Sequence, residues 1–359
     1  MNVELTSDLD RVEEIRDEWT ILFNEAGGNS IFSHYDWVYQ QIHRKNIGQF
    51  LVFLLFDNVH QLAGVFPFII KYKRIMKKKL RVFSHAGGNI ADYSPFILSD
   101  RINRNVAMRK ISSAIIDAQP DTWDFIDIAG LNDRDDVSRL FAATLVDMIH
   151  GKRVFHENTF SIQYDQVYGE SKKISDINRR FNKLLNTSDI SITIGDEVNG
   201  TILEKMVEHH YSRFPGMGFN NVHFQEIIKH LYESEDFRKH IEFSHIQSGN
   251  DFIAGHFGFR FDSRIYYYVP VFNDDYKIYG PGQYLLMKMI EYYRDKGYSR
   301  FDFLRGGEEY KKNWANTVYG NYSVVGVPAN ASWLHKAITD VYLLRHELSQ
   351  CRNTSITKN

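Results

Sequence analysis

Three side chains in the second half of the chain have the types and spacing that proton transfer requires. His256 lies in the apolar run 253–259, and Asp302 and Tyr310 lie in or shortly after Phe301-Asp302-Phe303. An imidazole or a carboxylate can take a proton from a nucleophile, and a phenol can give one to a leaving group. We therefore take His256, Asp302 and Tyr310 as candidate catalytic residues for acid–base chemistry. A packed strand histidine and a structural carboxylate would leave the same pattern, so both interpretations stay open.

A turn with two glycines around a proline precedes a predicted helix and is a candidate phosphate site. It consists of Gly280, Pro281, Gly282, Gln283 and Tyr284. The N-terminus of a helix presents unpaired N–H groups and a partial positive charge, and glycine lets a phosphate approach the backbone closely. We expect Gly280, Gly282, Gln283 and Tyr284 to bind a phosphate-containing cofactor. A helix start without a ligand, with proline in its first turn, would give the same sequence pattern.

Aromatic and charged residues flank these positions and are candidates for substrate binding. A tyrosine-rich strand is predicted over 264–272, and a charged segment follows the predicted strand 300–304. In α/β folds, the carboxyl ends of strands commonly face the ligand crevice. The predicted substrate-binding residues are Tyr266, Tyr268, Arg305, Glu309 and Lys311, with Asp92 from the first half. A packed aromatic row and a solvated charged turn are the alternatives.

Helical and strand periodicities alternate along the whole chain and predict the elements that position these residues. Helices are predicted at 8–25, from Ser33, and at 105–118, 137–149, 174–185, 200–213, 222–233, 282–296 and 332–348. Strands are predicted at 49–56, 62–72, 80–84, 122–128, 191–194, 241–247, 251–261, 264–272 and 300–304.

Two short stretches recur in the same order in the two halves. Residues 62–68 (LAGVFPF) resemble 253–259 (IAGHFGF), and 123–127 (WDFID) resemble 301–304 (FDFL). A repeat of this kind predicts two related domains. The expected fold class is α/β (α+β), with two tandem domains that are each a mixed, mainly antiparallel sheet flanked by helices. The predicted boundaries are 1–165 and 166–330, with a C-terminal helix and tail at 331–359.

Composition excludes several classes of protein. Of 359 residues, 43% are hydrophobic and 25% charged, which indicates a folded chain of two domains. The 43 basic and 45 acidic residues nearly balance, so a general nucleic-acid coat is not expected and no DNA partner is predicted. A single cysteine, Cys351, excludes a disulfide scaffold. His209, His210 and His223 lack partners at metal-ligand spacing, and we predict no metal.

Seven cations fall within the segment 71–81, which is a candidate for contact with an anionic partner. Anionic lipid head groups, a nucleotide-linked sugar or tRNA would suit such a run. The commoner interpretation is a solvated hairpin tip. The first ten residues are acidic, without the basic and apolar regions of a signal peptide, and the apolar runs are too short to span a bilayer. We expect a soluble, cytoplasmic protein.

The motifs of the second half, taken together, resemble those of the CelD/BcsL-type acyltransferases. The matching elements are the tyrosine-rich strand, Gly280-Pro281-Gly282, Phe301-Asp302-Phe303, Gly306-Gly307 and Tyr310-Lys311. In the first half, 32–37 (FSHYDW) is similar to the family's early aromatic helix start, and 91–95 (ADYSP) to its Asp-Tyr-x-x-Pro loop. The resemblance spans roughly residues 30–325. It implies a GNAT-like fold, related in architecture to the FemABX peptidyltransferases, which carry two tandem GNAT-like domains.

The resemblance implies an N-acyltransferase that uses acyl-CoA, with acetyl-CoA as the expected donor and acyl-carrier protein as an alternative. The expected acceptor is the amino group of a sugar or of another cell-envelope or exopolysaccharide precursor. Two other functions stay open. One is a FemABX-like transferase that uses aminoacyl-tRNA, although no inserted helical arm with heptads occurs in the sequence. The other is a non-catalytic GNAT-fold protein that binds intermediates of polysaccharide assembly.

Overall fold

The computed structural model describes residues 1–27, 30–44, 48–75, 77–87, 90–166, 173–213 and 218–356. The chain divides into two compact units. Unit 1 consists of residues 1–157 and 319–359, and unit 2 of residues 158–318.

Both units contain strands and helices. The strands are β1 (Asn2–Thr6), β2 (Gln49–Phe56), β3 (Leu62–Ile75), β4 (Lys78–His85), β5 (Ile97–Leu98), β6 (Phe125–Asn132), β7 (Ile149–Gln163), β8 (Ile190–Asp196), β9 (Ile241–Ser248), β10 (Asp251–Phe261), β11 (Arg264–Phe272), β12 (Arg300–Arg305) and β13 (Thr317–Pro328). The helices are α1 (Leu9–Glu14), α2 (Arg16–Glu25), α3 (Tyr35–Ile42), α4 (Arg104–Asp117), α5 (Gln119–Thr122), α6 (Asp136–Val146), α7 (Lys173–Leu185), α8 (Gly200–Arg213), α9 (Val222–Glu233), α10 (Glu235–Arg238), α11 (Pro281–Asp295), α12 (Glu309–Trp314) and α13 (Trp333–Ile356). Short 3-10 turns occur at Ile31–Ser33, Gly218–Asn220 and Asp274–Tyr279.

Unit 1 is built on a mainly antiparallel sheet. The strand order is β1-β2-β3-β4-β6-β13-β7, and the short β5 pairs with β3. The β4–β6 pair is parallel, whereas the β2–β3 and β3–β4 pairs are antiparallel. One face of the sheet packs against α4 and α6 through an apolar cluster that includes Phe68, Phe83, Ile111, Trp123 and Phe141. These side chains are at most 1% exposed, so they form the core of the unit.

Unit 2 repeats this architecture around the second half of β7. Its strand order is β7-β12-β11-β10-β9-β8. The β11–β12 pair is parallel, and the pairs β9–β10, β10–β11 and β12–β7 are antiparallel. The apolar faces of α7 and α11 cover one side of the sheet, where Phe181, Tyr284 and Ile290 join side chains from the strands in one cluster. The predicted fold class, mixed and mainly antiparallel sheets flanked by helices, is confirmed.

The predicted internal repeat falls on corresponding strands of the two units. Ala63-Gly64 lies on β3 and Ala254-Gly255 on β10, while Asp124 directly precedes β6 and Asp302 lies on β12. In each unit the strand after the Ala-Gly strand pairs in parallel with the strand of the aspartate motif. The units differ after β4, because unit 1 has the segment with β5 where unit 2 has the turn into α11.

The boundaries of the compact units differ from the domain boundaries predicted from the sequence. The prediction placed residues 319–330 in the second domain, whereas they belong to unit 1. The reason is that β13 pairs with β6 between Asn321 and Gly326. The segment 331–359, predicted as a separate helix and tail, belongs to unit 1 too. Ile338 and Leu343 of α13 pack in one apolar cluster with β13.

Part of the basic run 71–81 is paired within unit 1. Arg81 donates two hydrogen bonds from its side chain to the carboxylate of Asp124, at 2.8 and 3.2 Å. Lys73 Nζ lies 3.0 Å from a carboxylate oxygen of Asp127. The Lys79 ammonium lies 4.2 Å from the centroid of the Tyr72 ring. These contacts neutralise some of the positive charge that the sequence alone presents as available to a partner.

The Arg81–Asp124 pair predicts a specific acid sensitivity. Burial opposes ionisation of Asp124, but the hydrogen bonds from Arg81 outweigh it, and the pKa of this carboxyl is lowered. The stabilisation is therefore present above the ordinary carboxyl pKa of about 3.9 and is lost as the pH falls through the lowered value. We expect Asp124→Asn to reduce the difference in unfolding free energy between neutral and acid pH, measured by urea denaturation at both. An unchanged difference in unfolding free energy would show that the Arg81–Asp124 pair does not cause the acid sensitivity.

Candidate functional site

The parallel strands β11 and β12 separate after a short paired stretch. They pair at only three positions, from Arg264–Arg300 to Tyr266–Asp302. Beyond Tyr266, β11 continues to Phe272, and beyond Asp302, β12 continues to Arg305. The strands therefore leave a gap between them that opens toward their carboxyl ends. An extended ligand arm can form hydrogen bonds with the backbone groups that face such a gap, as an added β-strand would.

A bulge in β11 lies at the start of this gap. Between the pairs Phe257–Val269 and Phe259–Tyr266, the two residues Tyr267 and Tyr268 lie opposite Gly258 alone. The Tyr268 N–H donates a 3.0 Å hydrogen bond to Nε2 of His256 on β10. A bulge disturbs the regular ladder of backbone hydrogen bonds. In this bulge a histidine ring takes the place of a backbone carbonyl as the acceptor.

His256 is fully buried, and both of its ring nitrogens have partners in the protein. Because Nε2 accepts from Tyr268, the proton of the neutral ring lies on Nδ1, which donates to the Glu242 carboxylate. The Tyr267 ring stacks on the imidazole with centroids 4.4 Å apart and an interplanar angle of 4°. Neither nitrogen faces a substrate position in this arrangement, which favours a structural role for His256 over that of a general base.

Glu242 lies at the centre of a buried polar network. Its side chain is 0% exposed. Besides His256, the carboxylate accepts hydrogen bonds from the hydroxyls of Ser244 and of Tyr293, the latter at 3.1 Å. Burial and the neighbouring carboxylate raise the pKa of the Tyr293 hydroxyl, which keeps it protonated as a donor. Sequence reasoning missed Glu242, because a single glutamate in an apolar strand gives no signal until its strand neighbours are known.

A second bulge lies in β12, on the other side of the gap. Between the pairs Asp302–Ser161 and Arg305–Thr159, the residues Phe303 and Leu304 lie opposite one residue of β7. Leu304 has a positive φ of 63°, which is strained for a leucine. The carboxylate of Asp302 accepts a 2.8 Å hydrogen bond from the Leu304 N–H and so holds this conformation. Asp302 is only 5% exposed.

The charged segment after β12 is partly internal. Lys311 is 4% exposed, and its ammonium lies 2.8 Å from the Glu308 carboxylate and donates to the Arg305 carbonyl. Lys311 therefore fixes the loop between β12 and α12. Glu309 is exposed and lies 3.3 Å from Lys312. The Arg305 side chain is half-buried.

Tyr310 lies with the aromatic rings of the two separating strands. Its ring is 6.5 Å from that of Tyr267 and 6.4 Å from that of Phe303, both in edge-on contact. Burial, with a contribution from Glu308, raises the pKa of the Tyr310 hydroxyl well above its usual range. The hydroxyl is therefore a hydrogen-bond donor at neutral pH. A phenol of such high pKa stabilises a thiolate by donating a hydrogen bond more readily than by giving up its proton.

The N-terminus of α11 combines free backbone donors with a cation. Gly280 takes a left-handed conformation with φ 65°, Pro281 begins the helix, and no side chain caps it. The guanidinium of Arg180 lies beside Gly280, where an added Cβ would be 3.3 Å from Nη1. Arg180 also donates a 3.3 Å hydrogen bond to the Gln283 side chain. Arg180 Nε lies 3.0 Å from the Asp176 carboxylate, and the rest of the guanidinium, together with the helix dipole, favours an anion at this position.

Arg180 was not among the sequence candidates, although it belongs to the basic helix predicted there. Its position follows from the packing of α7 on α11, where Phe181 stacks on Tyr284 with ring centroids 3.9 Å apart. Tyr284 is 6% exposed and anchors these helices, so its side chain faces the core and not a phosphate. Gly282 packs against Phe272 of β11, where an added Cβ would lie 3.3 Å from the ring.

The remaining predicted substrate residues are Tyr266 and Tyr268 of β11, and Asp92. Tyr266 is buried at 2% exposure, and Tyr268 is half-buried and packs against Phe224 and Phe259. Asp92 belongs to unit 1, where its carbonyl accepts a hydrogen bond from Asn321. The residues that the structure of unit 2 brings together are Tyr267, Asp302, Phe303 and Tyr310 around the gap, and Gly280, Gly282, Gln283 and Arg180 at the start of α11.

Among the residues that the structure describes, no group of three or more histidine, cysteine, aspartate or glutamate side chains could hold a metal ion. In the same part of the chain, no helix combines the length and apolarity needed to cross a bilayer.

Comparison with protein families identifies a domain within the chain. Residues 171–312 match the family model described as an acetyltransferase (GNAT) domain. This stretch begins just before α7 and ends within α12, so it contains the gap, both bulges and the start of α11. A comparison with curated protein sequences gives no match.

Several solved structures share the fold at low sequence identity. One described as FemX has a TM-score of 0.58 at 11% identity, with 90% of this chain and 97% of that chain covered. The structure described as L-PGS from Bacillus licheniformis has a TM-score of 0.53 at 12% identity, covering 94% and 97%. The C-terminal domain of a putative lysylphosphatidylglycerol synthetase from Agrobacterium fabrum has a TM-score of 0.54 at 8% identity, covering 93% and 97%. At these identities the likeness concerns the fold alone.

Proposed function

We propose that this chain, with its GNAT-type acetyltransferase domain, is an N-acyltransferase that binds acyl-CoA in unit 2. The observation that carries the proposal is the gap between β11 and β12, which lies within the matched domain beside the start of α11. A donor with a phosphate end and an extended amide arm suits this combination, because a helix N-terminus binds anions and separated strands offer backbone hydrogen bonds.

In the proposed complex, the pyrophosphate of the donor lies at Gly280, Gly282 and Gln283, with Arg180 as its cationic partner. Gly282 lets the anion approach the backbone, and the first N–H groups of α11 donate to it. The amide arm extends into the gap and brings the acyl carbonyl close to the bulge at Tyr267 and Tyr268. Backbone N–H groups near this bulge are the candidates for polarising that carbonyl.

The proposed reaction forms one bond and breaks one bond at the acyl carbon. The neutral amine of the acceptor attacks the thioester carbonyl, its nitrogen forms the amide bond, and the sulfur leaves as a thiolate. The Tyr310 hydroxyl donates a hydrogen bond to this sulfur, and the ammonium proton released on amide formation balances the thiolate charge. In this proposal Asp302 and His256 do not contact the reacting atoms. Each of them instead holds one of the two bulges.

The acceptor proposed is an amino group of a sugar or of another cell-envelope or exopolysaccharide precursor. Support comes from the resemblance of the second-half motifs to the CelD/BcsL-type acyltransferases. Arg305 and Glu309, at the carboxyl end of β12, remain the candidates for acceptor binding. Cytoplasmic location and contact of the segment 71–81 with an anionic surface are parts of the same proposal.

A transferase that uses aminoacyl-tRNA is the second candidate function. It is favoured by the fold shared with the proteins described as FemX and L-PGS, at TM-scores of 0.58 and 0.53. Both donor types carry an activated acyl carbonyl, so the gap alone suits either. A screen of acyl-CoAs, acyl-carrier protein and aminoacyl-tRNA against amino-sugar acceptors, read out by mass spectrometry, separates them. Transfer from tRNA alone would replace the first proposal, and binding of an acceptor without any transfer would favour a non-catalytic protein.

The donor site predicts a charge-reversal effect with a matched control on the same helix. We expect Arg180→Glu to weaken acetyl-CoA binding by about tenfold or more, since a charge-assisted phosphate contact is lost. Arg179→Glu is the control, because that side chain is 68% exposed. Titration calorimetry measures both variants. Equal affinities for acetyl-CoA in the two variants would remove Arg180 from the donor site.

A second pair of variants tests the helix start itself. Gly282→Asp adds a negative charge to the first turn of α11, close to the proposed phosphate position and against the Phe272 ring, and we expect binding of acetyl-CoA to be lost. Gly200→Asp is the matched control, because Gly200 begins α8 of the same unit and an added Cβ there meets nothing within 4 Å. If Gly282→Asp bound acetyl-CoA as well as Gly200→Asp does, the phosphate site would lie elsewhere.

A further inference from the structure

The network around Glu242 is unusual for a sheet interior, because it places an acidic side chain and a histidine where no water reaches them. Both side chains are 0% exposed. Burying such groups costs free energy, and apolar residues of similar size are often as stable or more stable in their place. The network therefore needs a reason beyond the stability of the fold.

Unit 1 shows that this sheet architecture does not require the network. The aligned run 62–68 places Val65 at the position of His256 and Pro67 at that of Gly258. In unit 1, Leu54 pairs with Val65 and Val52 with Pro67, whereas in unit 2, Ser244 pairs with His256 and Glu242 with Gly258. Val52, Leu54 and Val65 are at most 1% exposed. At the positions of the network, the strands of unit 1 thus carry apolar side chains.

The network connects to the gap through His256. Nε2 of this ring accepts from the Tyr268 N–H of the β11 bulge at 3.0 Å. Gly258 makes room for the ring, since an added Cβ would lie 2.4 Å from its Cε1 atom. Glu242 fixes the tautomer by accepting from Nδ1, because a proton on Nε2 would point at the Tyr268 donor.

We propose that Glu242 and His256 are positioning residues that hold the β11 bulge, and with it the width of the gap, for the acyl donor. The pair acts through one backbone hydrogen bond and touches no substrate. Unit 2 retains a costly buried pair because the bulge would otherwise close into a regular strand pairing of the kind that β10 and β11 form on either side of it. This inference rests on the proposed donor site.

The test replaces the pair with the residues that unit 1 carries. We expect the double variant Glu242→Val/His256→Val to lower the unfolding midpoint less than Glu242→Ala does, since no charged group is left unpaired, although the hydroxyls of Ser244 and Tyr293 lose their acceptor. In contrast, amide exchange at Tyr268 should become at least about tenfold faster, because its acceptor is gone, and acetyl-CoA should bind at least about tenfold more weakly.

Two further variants keep the test decisive. His256→Gln offers a carbonyl oxygen to the Tyr268 N–H and should restore most of the donor affinity. Ile253→Ala removes a fully buried apolar side chain from β10 and should destabilise the protein without selectively exposing the Tyr268 amide. A merely structural pair would behave like Ile253→Ala in both exchange and binding.

The outcomes separate the two proposals. Unchanged exchange at Tyr268 in the double variant, or faster exchange with unchanged acetyl-CoA affinity, would overturn the positioning role. A wild-type protein that binds no acyl-CoA would overturn the proposed function, and with it the link to the donor. The exchange rates would then still decide whether His256 holds the bulge.

Discussion

Glu242→Ala is expected to destabilise the protein by about 3–5 kcal/mol, the largest loss that we predict for a single substitution. The change leaves the Nδ1 proton of His256 and the hydroxyls of Ser244 and Tyr293 without their shared acceptor in a fully buried site. It also opens a cavity between β9 and α11. The lost packing around this cavity and the lost hydrogen bonds both contribute to the destabilisation. Urea denaturation followed by circular dichroism measures the loss.

Two further variants serve as controls for the Glu242→Ala prediction. Glu208→Ala, at an exposed position of α8, should change stability by less than about 0.5 kcal/mol. Glu242→Gln keeps one carbonyl oxygen for His256 and an amide donor for the hydroxyls, so it should be markedly more stable than the alanine variant. A loss below about 1 kcal/mol for Glu242→Ala would mean that the network does not order the interior of unit 2 as described.

Asp302→Ala is expected to reduce acyl transfer by about a hundredfold, through geometry and not through lost proton transfer. The substitution removes the acceptor of the Leu304 N–H, which is buried and belongs to a residue in a left-handed conformation. The missing acceptor costs about 1–3 kcal/mol. A shift of β12 by about 1 Å can lower the rate of a positioned reaction to this extent. Steady-state kinetics with acetyl-CoA measure it.

Asp302→Asn separates the geometric role from a chemical one. The asparagine carbonyl can accept from Leu304 as the carboxylate does, so we expect this variant to keep most of the activity. Asp302→Ala/Leu304→Gly should regain part of the lost stability, because glycine takes the left-handed conformation without strain. A stable Asp302→Asn variant that is as inactive as Asp302→Ala would instead show that the carboxylate itself takes part in the reaction.

The two candidate catalytic residues with the clearest sequence signals thus have similar surroundings. His256 and Asp302 each accept a backbone N–H from a bulge, one on either side of the gap. Neither assignment was accessible from the sequence, because a bulge is defined by register against a neighbouring strand. The bulge that His256 holds is defined by the register of β11 against β10. The bulge that Asp302 holds is defined by the register of β12 against β7.

The sequence alone predicted the fold class and most of the elements. Alternating periodicities located most helices and strands, and the recurrence of residues 62–68 in 253–259 predicted two related sheets with helices around them. It did not predict the strands β1, β5, β7 and β13 or the short helices α5, α10 and α12. β7 carries a polar middle part from 150 to 158, and its two ends serve different units. Periodicity within one strand cannot reveal such a division, since pairing partners lie far away along the chain.

Only the tertiary structure decided what the polar residues of unit 2 do. The chain itself presents Gly280-Pro281-Gly282 as a helix start, and local chemistry suffices for that, since proline and glycine act through their own backbone. By contrast, Arg180 reaches this turn only because α7 packs on α11, and Glu242 meets His256 only because β9 pairs with β10. Contacts between residues distant in sequence depend on packing and register, which no local pattern encodes.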